Sequence, residues 1–157
     1  MDVREDLIRL LRSGRVQEFN EISARRQGIV DLSNMDLSGA RLEGADFRAV
    51  SLDRAKLARA RLATADFRGA SLRYANLEGA DLEGADLSKA NLYSAYLKGA
   101  RLAGATILDA DICAAVFPDD LRPEEIRLSR DLGTRLRVDP TIALLEQLLR
   151  TGGGSRP

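Results

Sequence analysis

The sequence has no His and no Trp, a single cysteine (Cys113), and only 4% aromatic residues. Each scarcity excludes some chemistry. Without His there is no Ser-His-Asp or Cys-His relay and no His-ligated zinc. One cysteine supports neither an internal disulfide nor a thiolate metal cluster. Lys+Arg and Asp+Glu are 24 each, a formal net charge of zero. That balance argues against a basic nucleic-acid binder and equally against a strongly acidic mimic of one. No apolar run approaches the ~20 residues of a membrane span. The opening stretch MDVREDLIRLLRSGR sets acids beside bases and has no small-residue cleavage site, so the expectation is a cytoplasmic protein rather than a secreted one. At 157 residues the chain is one domain's worth. Its core must be filled by small and branched aliphatic side chains.

What is abundant is a period of five. Starting at Leu32 and stepping by five to Phe117, all eighteen positions are Leu, Ile or Phe. Two residues before each, fifteen of the eighteen are Ala, the exceptions being Val30, Met35 and Val50. The intervening position favours Asp, Asn or Ser, as at Asp46, Asp66, Asn76 and Asp86, and the last position is often Gly, as at Gly39, Gly79 and Gly99. A five-residue step rotates about 140° on an α-helix, smearing the Leu series around the cylinder. On a flat strand an odd step puts successive Leu on opposite faces. The pattern closes only if the chain turns a corner every five residues and returns each Leu to one interior. Short polar residues and Gly suit such corners.

The string ASLRYANLEGADLEGADLSKANLYSAYLKGARL resembles the pentapeptide-repeat family, whose motif is close to A(D/N)Lxx, and the resemblance spans residues 30–117. The fold it implies is an all-β solenoid, a right-handed quadrilateral β-helix with four pentads per twenty-residue coil. Eighteen pentads would make a rod about 22 Å tall at a strand-like spacing of ~4.8 Å per coil, packed by coil-to-coil contacts. In that register Phe47, Phe67, Leu87 and Ile107 share one interior face, where the two Phe should stack. Asp46, Asp66 and Asp86 share an outward face, followed by Arg48 and Arg68. Arg41, Arg61 and Arg101 share another, interrupted by Asp81.

The ends of such a rod need covering. Residues 2–12 read as an amphipathic helix stopped at Gly14, and 15–25 as a second short helix with Val16, Phe19 and Ile22 on one side, so residues 1–29 are assigned as a helical cap. Past Phe117-Pro118, a short helix starts at Pro123-Glu124-Glu125, and residues 134–138 read as a short extended piece. Asp139-Pro140 starts another helix. Its apolar residues Ile142, Leu145, Leu148 and Leu149 either fold over the last coil or pair with a second copy. The 118–150 segment is thus a cap or dimerisation segment, and 151–157 a flexible tail.

The carboxylates recur because the turn wants them, so they are read as structural and not catalytic. The glycines of LEGADLEGADL lack the strand-loop-helix context and Lys-Ser/Thr ending of a phosphate loop. Cys113 falls on an outward position of the last coil, where it is read as a spectator partly covered by the C-terminal segment. Neither an enzyme, a cofactor, a metal nor direct nucleic-acid binding is expected. The candidate interaction surface is Tyr74, Tyr93 and Tyr96, because Tyr is enriched at interfaces, together with Asp46, Asp66 and Asp86. The leading expectation is a non-enzymatic interaction or scaffold module. The resemblance also implies an alternative: some family members mimic DNA, bind DNA gyrase or another type II topoisomerase, and confer inhibitor resistance. Residues 30–117 hold twelve acids and eleven bases, whereas 22 Å of duplex carries about thirteen negative charges. The mimic therefore ranks second.

Overall fold

The structure is a computed structural model that describes residues 3–133, 135 and 136. Two helices, α1 (Val3–Arg12) and α2 (Val16–Ala24), precede the repeat, and α3 (Pro123–Leu132) follows it. Between them the chain winds as a repeat β-helix. The two-residue strands β1 (Val30–Asp31) and β2 (Val50–Ser51) pair in parallel. The same offset of twenty continues as single parallel bridges, Asp36 to Lys56, Arg41 to Arg61, Asp46 to Asp66, and on to Tyr96 with Val116.

The five-residue step is visible in the backbone. From Leu37 to Ile112 each Leu-type carbonyl accepts a hydrogen bond from the amide three residues on, Val50 for Phe47 and Ala elsewhere, as in Ala40 N–H to Leu37 O at 3.1 Å and Ala65 N–H to Leu62 O at 3.1 Å. The third residue of each turn, from Asn34 to Ala114, has φ between 54° and 73°, as type II turns require there. Gly is the cheapest occupant of that conformation, and the β-branched Thr64 (φ 58°) the most strained. The residue before each Leu explains the Asp/Asn preference: Asp31, Asp36, Asp46, Asp66, Asp81 and Asp86 each accept the amide two residues on through Oδ1. These are Asx turns, side chains completing a corner that backbone alone leaves open.

The interior is apolar and regular. From Leu32 to Ile107 each Leu-type position is at most 2% exposed, and the Ala positions from Ala45 to Ala110 at most 5%. Burying a Leu of this kind contributes about 1.5–3 kcal/mol. Phe47 and Phe67 stack with ring centroids 5.0 Å apart, and Phe19 of α2 extends the column, 5.6 Å from Phe47. The last two positions differ from the sequence expectation. Ile112 and Phe117 are only partly buried, because no further coil stacks on them among the described residues.

Helix α1 buries Leu7, Ile8, Leu10 and Leu11 against the first coil and carries acids in its first turn and arginines in its last, as the helix dipole favours. It stops in a Schellman motif, Gly14 N–H to Leu11 O and Arg15 N–H to Leu10 O. Helix α3 starts at Pro123 and ends at the left-handed Gly133. The terminal helix expected from Asp139, with Ile142, Leu145, Leu148 and Leu149, lies outside the described residues.

Candidate interaction surface

The acidic column expected at Asp46, Asp66 and Asp86 is a ladder of alternating charge. Arg48 contacts Asp46 at 2.6 Å and Asp66 at 3.5 Å, and Arg68 contacts Asp66 at 2.6 Å and Asp86 at 3.8 Å. Hydrogen bonds from Arg48 and Arg68 hold the Asp46 and Asp66 carboxyls below their ordinary pKa, against a modest desolvation that pushes the other way. The next face repeats the arrangement: Arg61 pairs with Glu43 at 2.7 Å, and Arg101 with Glu83 at 2.7 Å and Asp81 at 3.4 Å. Apart from Arg41, the arginines of these two faces are held in ion pairs.

The corner that follows Leu52, Leu72 and Leu92 is different. Tyr74 and Tyr93, on neighbouring coils, meet edge to face with centroids 5.5 Å apart. The Arg73 guanidinium lies 5.8 Å from the Tyr74 ring and 6.0 Å from Tyr93, and Arg54 lies 5.5 Å from Tyr74. Such cation–π contacts hold a guanidinium without neutralising it. Asp53 stands in the same cluster, but its Oδ1 accepts the Ser71 hydroxyl and the Arg73 amide. It replaces the Asx-turn acceptor that Ser71, in place of Asp or Asn, does not supply. Tyr74 is 45% exposed. Tyr96 lies around the corner on the next face, bridged to Asn76 and Val116, and does not join the Tyr74–Tyr93 contact. The tyrosine trio of the sequence is thus a pair plus a neighbour.

Shallow grooves run along the corners. One of about 250 Å³ is lined by Asn34, Arg54, Arg73 and Tyr74, among others. Another of about 720 Å³ lies over the small residues Gly39, Ala58, Gly79 and Gly99, with Arg59 and Lys98 beside them. Among the described residues no group of three or more Cys, Asp or Glu is placed to hold a metal ion, and no helix is long and apolar enough to cross a membrane. Cys113 is exposed, not partly covered as expected, because α3 runs over other parts of the last coil. The placement of Arg54 and Arg73 against the tyrosine rings was not legible as a motif. The signal was positional: both occupy the corner column of the tyrosines once the twenty-residue register is extended to turn positions.

The family model for pentapeptide repeats matches residues 30–63, 51–88, 65–104 and 80–117. The chain belongs to the pentapeptide-repeat family. Among solved members, HetL from the cyanobacterium Nostoc sp. strain PCC 7120, a pentapeptide-repeat protein involved in heterocyst differentiation regulation, is 44% identical with a TM-score of 0.56. That match covers 57% of this chain and 41% of HetL, so the chain spans less than half the length of that relative. The pentapeptide-repeat protein alr5209 from Nostoc PCC 7120 is 30% identical with a TM-score of 0.59, over 71% of this chain and 89% of its own. The fluoroquinolone resistance protein QnrB1 is 24% identical with a TM-score of 0.28, a likeness that carries no argument about binding. No curated protein matches this chain.

Proposed function

We propose that this pentapeptide-repeat chain is a non-enzymatic protein–protein interaction module, a right-handed four-sided rod that presents side-chain columns to a protein partner. The observation that carries this reading is the use of the acids. Asp46, Asp66, Asp81 and Asp86 each close their own turn, and each lies against arginine. They are occupied as structure, with no paired carboxyls poised for proton transfer. What remains for function is the outer surface, held rigid by the close-packed interior. The reading places the protein in the cytoplasm.

The test is capture of partners from the native cell with immobilised full-length protein, followed by reconstitution of any hit from purified components. A defined complex that survives purification supports the module. Turnover of a substrate by the purified chain would overturn it. The alternative, a DNA mimic directed at a type II topoisomerase, would need an acidic face, and the Asp46–Asp66–Asp86 column is interleaved with Arg48 and Arg68. A gyrase supercoiling assay with and without a fluoroquinolone should show neither inhibition nor protection at micromolar protein. Either effect would reverse the ranking.

A further inference from the structure

The side of the rod around Leu57, Leu77 and Leu97 differs in charge from the rest. Its four stretches, 33–39, 53–59, 73–79 and 93–99, carry five bases (Arg54, Lys56, Arg59, Arg73, Lys98) and three acids (Asp36, Asp53, Glu78). The remainder of residues 30–117 carries nine acids and six bases. All three tyrosines are on this side. The arginines of the opposite ladder are each in ion pairs. Arg54 and Arg73, by contrast, belong to none of the ion pairs among the described residues and rest on the Tyr74 and Tyr93 rings.

We infer that this side is the docking surface for an acidic, extended polypeptide segment, whose carboxylates pair with Arg54 and Arg73 while its apolar groups lie on the tyrosine rings. The inference rests on the interaction-module reading and names the surface and the chemistry of its partner. A guanidinium held on a ring is pre-oriented and still has its donors free for a carboxylate fork. The ring beneath supplies apolar area at small entropic cost. The grooves at the two corners bounding this side give space for alternate side chains of an extended segment. A nucleic acid fits less well. Its charge recurs every ~1.7 Å, and Asp36, Asp53 and Glu78 would repel a continuous phosphate chain, whereas a peptide can place its carboxylates around them.

The experiment measures binding of a fluorescein-labelled ten-residue peptide alternating Glu and Thr to the full chain at low salt. The same peptide with Lys for Glu, and an oligothymidine, serve as comparisons. The Glu peptide should bind at least tenfold tighter than the Lys peptide and tighter than oligothymidine. The Arg54→Asn, Arg73→Ser double substitution should weaken it at least tenfold and Tyr74→Ser a few fold. Arg48→Ser with Arg68→Ser, on the opposite side, should leave it within twofold. A second readout does not depend on the variants. Cys113 is the only cysteine and stands one coil beyond Tyr93 on the same corner, where its carbonyl accepts the Ser94 amide at 2.9 Å. A dye on Cys113 should be quenched by a quencher-bearing Glu peptide.

Equal affinity for the Glu and Lys peptides, tighter binding of oligothymidine, or no loss in the double variant would overturn the inference. So would binding without quenching at Cys113. A cellular partner that binds the double variant as well as the wild type would sink this surface assignment while leaving the interaction-module reading intact.

Discussion

The two ends of the coil meet the same physical demand by different means. A β-helix that stops leaves a row of backbone donors and acceptors with no coil to pair with, as well as an open apolar core. At the start of the coil, side chains take the place of the missing neighbour. Arg4 donates to the Asp31 and Ser33 carbonyls, Arg12 to the Asp36 carbonyl, and Asn20 bridges the Asp46 amide and the Gly44 carbonyl. At the finish, the backbone takes that place. Leu136 exchanges hydrogen bonds with Gly104 and Ala105, and Arg130 O accepts from Asp109. One buried hydroxyl, Ser129, accepts the Ile107 amide at 3.2 Å. The difference follows from the elements used. The body of a helix has spent its own backbone groups, so α1 and α2 offer side chains, whereas the Arg130 carbonyl in the last turn of α3 and the backbone of Leu136 beyond it are still there to lend.

This contrast can be broken in order of size. Deleting residues 3–24 removes Leu7, Ile8, Leu10, Leu11 and Phe19, all buried, and leaves the first coil open. Light scattering should then show concentration-dependent association, and a monodisperse truncated protein would show that the first coil needs no cover. Leu82→Ala, remote from both ends and fully buried, should cost about 2–5 kcal/mol in denaturant unfolding. That value calibrates the end effects. Ser129→Ala strips the partner from a buried amide and should cost about 1–3 kcal/mol, while Asn20→Ala, at a partly exposed end, should cost about 1 kcal/mol. Equal costs would erase the distinction between a buried plug and a solvated one.

The smallest effect separates the charge ladder from both ends. Asp46 and Asp66 have pKa values lowered from the ordinary 3.8 by the hydrogen bonds of Arg48 and Arg68. A carboxylate depressed in the folded state adds stability that is complete well above that value and is lost as pH falls through its folded pKa. The thermal midpoint should therefore decline as pH drops below about 4. The decline should be shallower in Arg48→Gln with Arg68→Gln, which lacks the arginines that depress both carboxyls, and the difference should be small because these exposed pairs are partly screened. An unchanged pH profile in that variant would show that the ladder adds no stability.

Much of the coil was legible from the chain, and for a local reason. A corner every five residues is set by residues within five positions: Leu to fill, Ala to fit closely, Asp or Asn to close the turn. Phe47 over Phe67 followed from the register alone, as did the interleaving of Asp46, Asp66 and Asp86 with Arg48 and Arg68. The helix starts at Pro123 and the stop at Gly14 were equally local. The plugs were not legible. Asn20 meets Asp46 from 26 residues away, and nothing in the neighbourhood of Asn20 distinguishes it from any polar residue on a short helix. Ser129 in its helix looks like a residue for the solvent side, yet it is fully buried. Tyr96 was grouped with Tyr74 and Tyr93 by residue type, and a corner separates it from them.

The sparse aromatics, the missing His and the balanced charge are thus properties the sequence determined by itself. A narrow coil has room for few rings, and its acids are committed to turns wherever Asp or Asn precedes Leu. Only the tertiary structure decided which cations would be neutralised. Arg48 and Arg68 sit two residues beyond aspartates that recur every twenty, so each has a partner on its own coil and stacking delivers a second on the next. Arg54 and Arg73 lie on a corner where stacking delivers tyrosines instead. Charge totals are additive along a chain, but neutralisation depends on distance, and distance is set by the register of one coil upon the next.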